Sequence, residues 1–140
     1  MNPLDERVRH FLALFHQGRR DDAFHGLLEM DHAGLPALEA AFRASRDPAL
    51  RAFLLHVIWQ HRQPSAIPLL GEALMDPEPR VWREALDGLV TLASPAAIAA
   101  LRAAKARRNE ADFQPWVDEA LAQADLDSSQ TTHDQGTPLS

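Results

Sequence analysis

The sequence predicts an all-α array of stacked helical hairpins, an α-solenoid, on three grounds. One short phrase returns three times, as Leu35-Pro36-Ala37-Leu38, Ile67-Pro68-Leu69-Leu70 and Ile98-Ala99-Ala100-Leu101, at intervals of 31 to 32 residues. A period of this size marks units that bury their apolar faces on their neighbours. Two of the phrases are followed by Asp-Pro pairs, Asp47-Pro48 and Asp76-Pro77. Aromatic residues make up only 6% of a chain that is 46% hydrophobic, so alanine and aliphatic side chains supply the core. That composition favours helix, and no segment shows the two-residue alternation of a strand.

Eight helices follow in order. Pro3 to Gln17 carries Val8, Phe11, Leu12 and Phe15 on one stripe and stops at Gly18. The second runs over 22–31 behind Asp21, with Phe24, Leu27 and Leu28 inward. The third covers 35–45, with Leu35, Leu38 and Phe42 inward. Asp47 caps the fourth, to about Arg62, with Pro48 in the first position, where its missing N–H costs no intrahelical bond. Ser65 is expected to cap the fifth, to Met75. Asp76-Pro77 opens the sixth, to Leu92, and Ser94-Pro95 the seventh, to Arg107. The eighth ends near Ala124. The expected organisation is therefore a repeat domain over 1–124. Helix 3–18 caps its N-terminal end and helix 112–124 its C-terminal end, around three hairpins at 21–45, 47–75 and 76–107. Residues 125–140 are expected to form a disordered acidic tail, having little to bury.

The repeats align closely. Leu50, Leu54 and Ile58 match Val81, Ala85 and Leu89 at a spacing of 31, and Glu78-Pro79 is a two-residue insertion behind the second Asp-Pro. Asp76-Pro77-Glu78-Pro79-Arg80-Val81-Trp82-Arg83-Glu84-Ala85-Leu86 resembles the opening helix of HEAT-like repeats, of the kind also found in phycobilin lyases. Ser65-Ala66-Ile67-Pro68-Leu69-Leu70 resembles their second-helix phrase. The resemblance covers roughly 20–107. Trp82 departs from it, standing where the family usually has arginine, and segment 47–62 has the Asp-Pro without the Val-Arg. The resemblance implies a HEAT-like fold and leaves function open, because such repeats serve many roles.

Chemistry-bearing patterns are few. Cysteine is absent, which excludes disulfides and thiolate ligands. The seven histidines make no spaced metal motif, so no metal and no cofactor is expected. Ser65 and Ser94 read as helix caps rather than nucleophiles, and no glycine-rich phosphate loop occurs. The N-terminus lacks the apolar run of a signal peptide and no stretch is long and apolar enough for a membrane span, so a cytoplasmic protein is expected.

Charge is uneven. No Lys or Arg follows Arg108, while residues 110–140 hold seven acids. Residues 1–109 are nearly neutral, with 14 basic and 13 acidic side chains. This body lacks the basic stripe of a nucleic-acid surface. The expected function is a non-catalytic protein-binding module, a bacterial-type adaptor, inhibitor or immunity-type protein. Its acidic end could steer a basic partner. The rivals are a component of an enzyme complex such as a chromophore lyase, and weak nucleic-acid binding through Arg102, Lys105, Arg107 and Arg108.

The candidate contact residues follow from helix geometry. Glu39 and Arg43 on the third helix, Gly71 and Glu72 on the fifth, and Arg102 and Ala106 on the seventh flank the buried arcs of the second helix of each hairpin. Trp59 lies opposite the arc of Leu50, Leu54 and Ile58. It is either packed in a helix apolar on two faces or, with Arg62 nearby, a partly exposed hot spot. Trp82 reads as core, and Trp116 as part of the end cap. Gly71 and Gly88 lie inside helices, where close packing is the first explanation and backbone access for a partner the second.

Overall fold

The computed structural model describes residues 2–136. Among them are eight α-helices, two 3-10 turns and no strand. The helices are α1 (Pro3–His16), α2 (Arg20–Leu28), α3 (Leu35–Ala44), α4 (Pro48–Gln60), α5 (Ile67–Ala73), α6 (Pro79–Leu92), α7 (Pro95–Arg107) and α8 (Gln114–Gly136). The 3-10 turns are His32–Gly34 and Pro64–Ala66. The predicted all-α, HEAT-like class is the one adopted.

A polar cap followed by proline starts three of the helices. Asn2 Oδ1 accepts from the Leu4 amide at 2.9 Å, Asp47 Oδ1 from Ala49 at 3.1 Å, and Ser94 Oγ from Ala97 at 3.2 Å. Each satisfies an amide that the helix start leaves without a carbonyl. Gly18, at φ 82°, follows the end of α1 in the left-handed region that glycine enters freely. Alanine does the same work less comfortably at Ala93, φ 47°, the end of α6.

Four expected boundaries are corrected. The start of α2 lies at Arg20, not behind Asp21. Asp21 and Asp22 occupy its first turn, and Asp22 accepts from Arg19 Nε at 2.9 Å. The carboxylates thus favour the positive end of the helix dipole instead of capping. Ser65 belongs to the 3-10 turn leading into α5. Asp76 Oδ1 accepts from the Glu78 amide at 2.9 Å, closing a side-chain turn before α6, which begins at Pro79. The Glu78-Pro79 insertion supplies a second proline, and the helix uses that one. Finally, α8 continues through residues expected to be disordered, to Gly136. No proline or glycine interrupts the chain between Trp116 and Gln135, and each added residue brings a backbone hydrogen bond to a helix already nucleated. The rest of the expected tail, 137–140, lies outside the described residues.

The chain divides into two compact units, Met1–Ala66 and Ile67–Ser140. In the first, α1 packs on α2 and α3 on α4, with α1 also against α3 and α2 against α4. The expected α2–α3 hairpin is not among the closely packed pairs, and α1 packs on both α2 and α3. A Cβ at Gly26 would overlap the Phe11 ring, so glycine is what lets α1 and α2 approach. Leu50, Leu54, Leu55, Val57, Ile58 and Trp59 of α4 are all buried, as expected of a helix apolar on two faces. In the second unit, α5 packs against α6 and α7, and α8 covers both α6 and α7. Gln114, the first residue of α8, donates from Nε2 to the Lys105 and Arg108 carbonyls, satisfying the exposed end of α7. Trp82 is fully buried at the centre of this unit, as its sequence position predicted.

Candidate functional site

Each unit carries a surface groove between two of its odd-numbered helices. In the second unit it lies between α5 and α7, with a volume of about 430 Å³. It is lined by Pro68, Gly71, Glu72 and Met75 on one wall and Ala100, Ala103, Ala104 and Arg107 on the other. In the first unit it lies between α1 and α3, with a volume of about 270 Å³. Its walls are Asp5, Val8, Arg9 and Leu12, and Ala37, Ala40, Ala41 and Ala44. On every wall the residues fall at i, i+3, i+4 and i+7, the spacing of one helix face, with Met75 in the turn just past the end of α5.

The two grooves are equivalent. Every lining residue of the first has its counterpart in the second 63 positions later: Asp5 and Pro68, Val8 and Gly71, Arg9 and Glu72, Leu12 and Met75, Ala37 and Ala100, Ala40 and Ala103, Ala41 and Ala104, Ala44 and Arg107. Sixty-three is two of the 31–32-residue periods read from the sequence. Three counterparts on the α3 and α7 walls are alanine in both copies. Both grooves therefore have a low alanine wall, a longer apolar side chain opposite (Leu12 or Met75) and charged residues among the lining.

Gly71 distinguishes the second groove. It lies inside α5, yet a Cβ there would meet its nearest neighbour, Ala100 Cβ, at an ordinary 3.8 Å. Close packing, the first explanation offered by the sequence, does not require this glycine. Its effect is to keep the groove open at a cost of up to about 1 kcal/mol of helix stability against alanine.

The residues singled out from sequence are placed as follows. Glu72 is exposed on the α5 wall of its groove. Glu39 is half-buried and Arg43 exposed on α3, and neither is among the lining residues of the first groove. Trp59 is 7% exposed and edge-on to His56 at 5.1 Å, so it offers a partner almost no surface. Of the two readings open for it, packing is the one this burial fits. Arg62 is exposed just past α4, at φ 55°. The guanidinium of Arg102 lies 3.8 Å from Asp125 of α8. Sequence reasoning missed the α1 wall, because α1 was taken for a cap, and missed the alanine stripe. The signal that could have found both was the repeat period taken twice.

The basic cluster at the end of α7 is dispersed. Arg108 is buried, donating from Nη1 to the Leu74 and Asp76 carbonyls at 2.7 Å each. Lys105 lies 2.6 Å from Asp118, and Arg102 faces Asp125. Of the four, only Arg108 is taken into the fold, whereas Lys105 and Arg102 stay exposed beside their acidic neighbours.

A family model for HEAT repeats matches residues 35–122. The chain belongs to the HEAT-repeat family. The match runs from the start of α3 into α8, so it takes in residues of both units and the whole α5–α7 groove of this HEAT-repeat protein. Neither a curated protein nor a solved structure matches the chain. HEAT repeats commonly mediate protein–protein interaction, and among the described residues no helix is long and apolar enough to cross a membrane.

Proposed function

We propose that this HEAT-repeat chain is a non-catalytic protein-binding module, of adaptor, inhibitor or immunity type, and that it takes a partner's helix or extended segment into the α5–α7 groove, with the α1–α3 groove as an equivalent second seat. The observation that carries this reading is Gly71, a mid-helix glycine that packing does not demand, in the wall of a groove with an apolar opposite wall. A segment laid there would bury apolar side chains against Ala100, Ala103, Ala104 and Met75, while Glu72 and Arg107 supply charges that fix its register. Helical walls hold the groove open in advance, which lowers the ordering cost of binding. The cytoplasmic, bacterial setting and the preference for a basic partner belong to the same proposal.

The test uses charges that the fold tolerates. Ala103 and Ala40 are exposed, so Ala103→Arg and Ala40→Arg change stability by no more than about 0.5 kcal/mol. The chain, immobilised in wild-type and variant forms, is exposed to extract of its native host. The reading predicts a protein retained by wild type and lost at least tenfold from Ala103→Arg, with a smaller loss from Ala40→Arg. Equal retention by all three would overturn it.

A further inference from the structure

We propose that His32 and His61 form a pH-sensitive latch in the first unit. While both rings are neutral, the pair holds the end of α2 and the turn before α3 against the end of α4, and it lets go when it takes up a proton. His61 is 7% exposed, directly after α4. Its Nε2 lies 3.3 Å from the Leu27 carbonyl oxygen, and its Nδ1 lies 3.4 Å from Nδ1 of His32 in the 3-10 turn. On the far side of His32, Nε2 lies 3.3 Å from Gln63 Nε2, which also donates to the His61 carbonyl at 3.3 Å.

These contacts fix every proton. A carbonyl only accepts, so His61 carries its proton on Nε2, and its Nδ1 is then a bare acceptor. His32 must donate to it, which puts the His32 proton on Nδ1 and leaves Nε2 to accept from the Gln63 amide. The chain of donors runs one way: Gln63 to His32, His32 to His61, His61 to Leu27.

A proton added to His61 has only Nδ1 to occupy, where it meets the Nδ1–H of His32, donor against donor. A proton added to His32 goes to Nε2, where it meets the Gln63 amide. Gln63 can answer by turning its oxygen inward, but His61 has no such answer, because Leu27 holds its other nitrogen. All four distances are at the long end for hydrogen bonds, so the network is weak and one lost contact opens it. The ionisable group facing His61 from the elements packed on it is His32. Asp31 and Arg62, the charged neighbours in sequence, are exposed. Burial pushes the His61 imidazole below the ordinary histidine value of 6.5. The Leu27 carbonyl works against that shift, and His32 adds to it.

The sign follows. As pH falls through 6.5 the unfolded chain takes up a proton at this site before the folded chain does, so stability falls with pH below about 7 and levels off only beneath the folded value.

The experiment reads the ring nitrogens of the ¹⁵N-labelled full chain by NMR from pH 8 to 5, with melting temperature in parallel. At pH 7.5 His61 is expected in the Nε2–H form and His32 in the less common Nδ1–H form. As the pH is lowered the His61 pattern is lost, amide protection factors fall at 28–34 and 61–63, and the melting temperature drops by about 3–6 °C. In His32→Ala the protection is already reduced at pH 7.5 and the drop shrinks, whereas His25→Ala, an exposed control, keeps it. Finding His32 in the Nε2–H form, or protection at these residues unchanged down to pH 5, would overturn the latch.

Discussion

Trp82→Ala is expected to destabilise the chain by about 3–5 kcal/mol, the largest loss any single truncation here should produce. The indole is fully buried. It meets Phe113 edge-on at 5.2 Å and Trp116 at 6.1 Å, with the Arg83 and Arg108 guanidinium groups 5.3 Å and 5.4 Å from its ring centre. Alanine would leave a cavity bounded by α6 and α8, whose packing defines the second unit. Trp82→Phe should cost much less. It keeps most of the volume and the aromatic contact, and it removes an indole N–H that is buried with no hydrogen-bond acceptor. Urea melts followed by circular dichroism at 222 nm check both: a large fall in midpoint for alanine, a small one for phenylalanine. Equal falls would show that the ring's bulk is not what matters.

Arg108→Ala is expected to cost about 2–4 kcal/mol, a large effect for an arginine. Its Nη1 bonds to the Leu74 and Asp76 carbonyls, at the end of α5 and in the turn before α6, and its guanidinium stacks 4.8 Å from Phe113. Nε lies 3.3 Å from Glu110, close enough for an ion pair but without the alignment of a hydrogen bond. Truncation strands two carbonyls and removes the packing together. Arg108→Met, which keeps the stem, should recover part of the loss. The comparison with Lys105 is instructive. Lys105 pairs with Asp118 at 2.6 Å, but both are about half exposed, so Lys105→Ala should cost no more than about 1 kcal/mol. Raising the salt concentration should reduce the Lys105 effect and leave that of Arg108 nearly intact.

The contrast between these two cations also marks how far the sequence could be read. Lys105, Arg107 and Arg108 look alike as a run at the end of a helix. Only the carbonyl of Leu74, 34 residues away, makes one of them structural. Signals confined to a few neighbouring residues were legible: the Asp47 and Ser94 caps, the prolines behind them, the Gly18 stop and the apolar arc that buries Trp82. The start of α6 was not, because Asp76-Pro77 and Glu78-Pro79 are both good openings and tertiary packing selects between them. The burial of Trp59 was left open for the same reason, since an α4 apolar on two faces fits a central helix and a hot spot equally well. The groove residues were the hardest to find. Alanine carries no chemistry, and Ala40 and Ala103 become informative only when their helices are known to stand beside α1 and α5.

Gly71→Ala tests the central claim most directly, because it separates the fold's interest from the partner's. The added methyl fits at 3.8 Å from Ala100 and removes a helix-weakening glycine, so the variant should be more stable, by about 0.5–1 kcal/mol. It also narrows the α5–α7 groove. The account predicts a higher urea midpoint together with weaker retention of the protein that wild type captures. A chain that is stabilised and binds as well as before would contradict it.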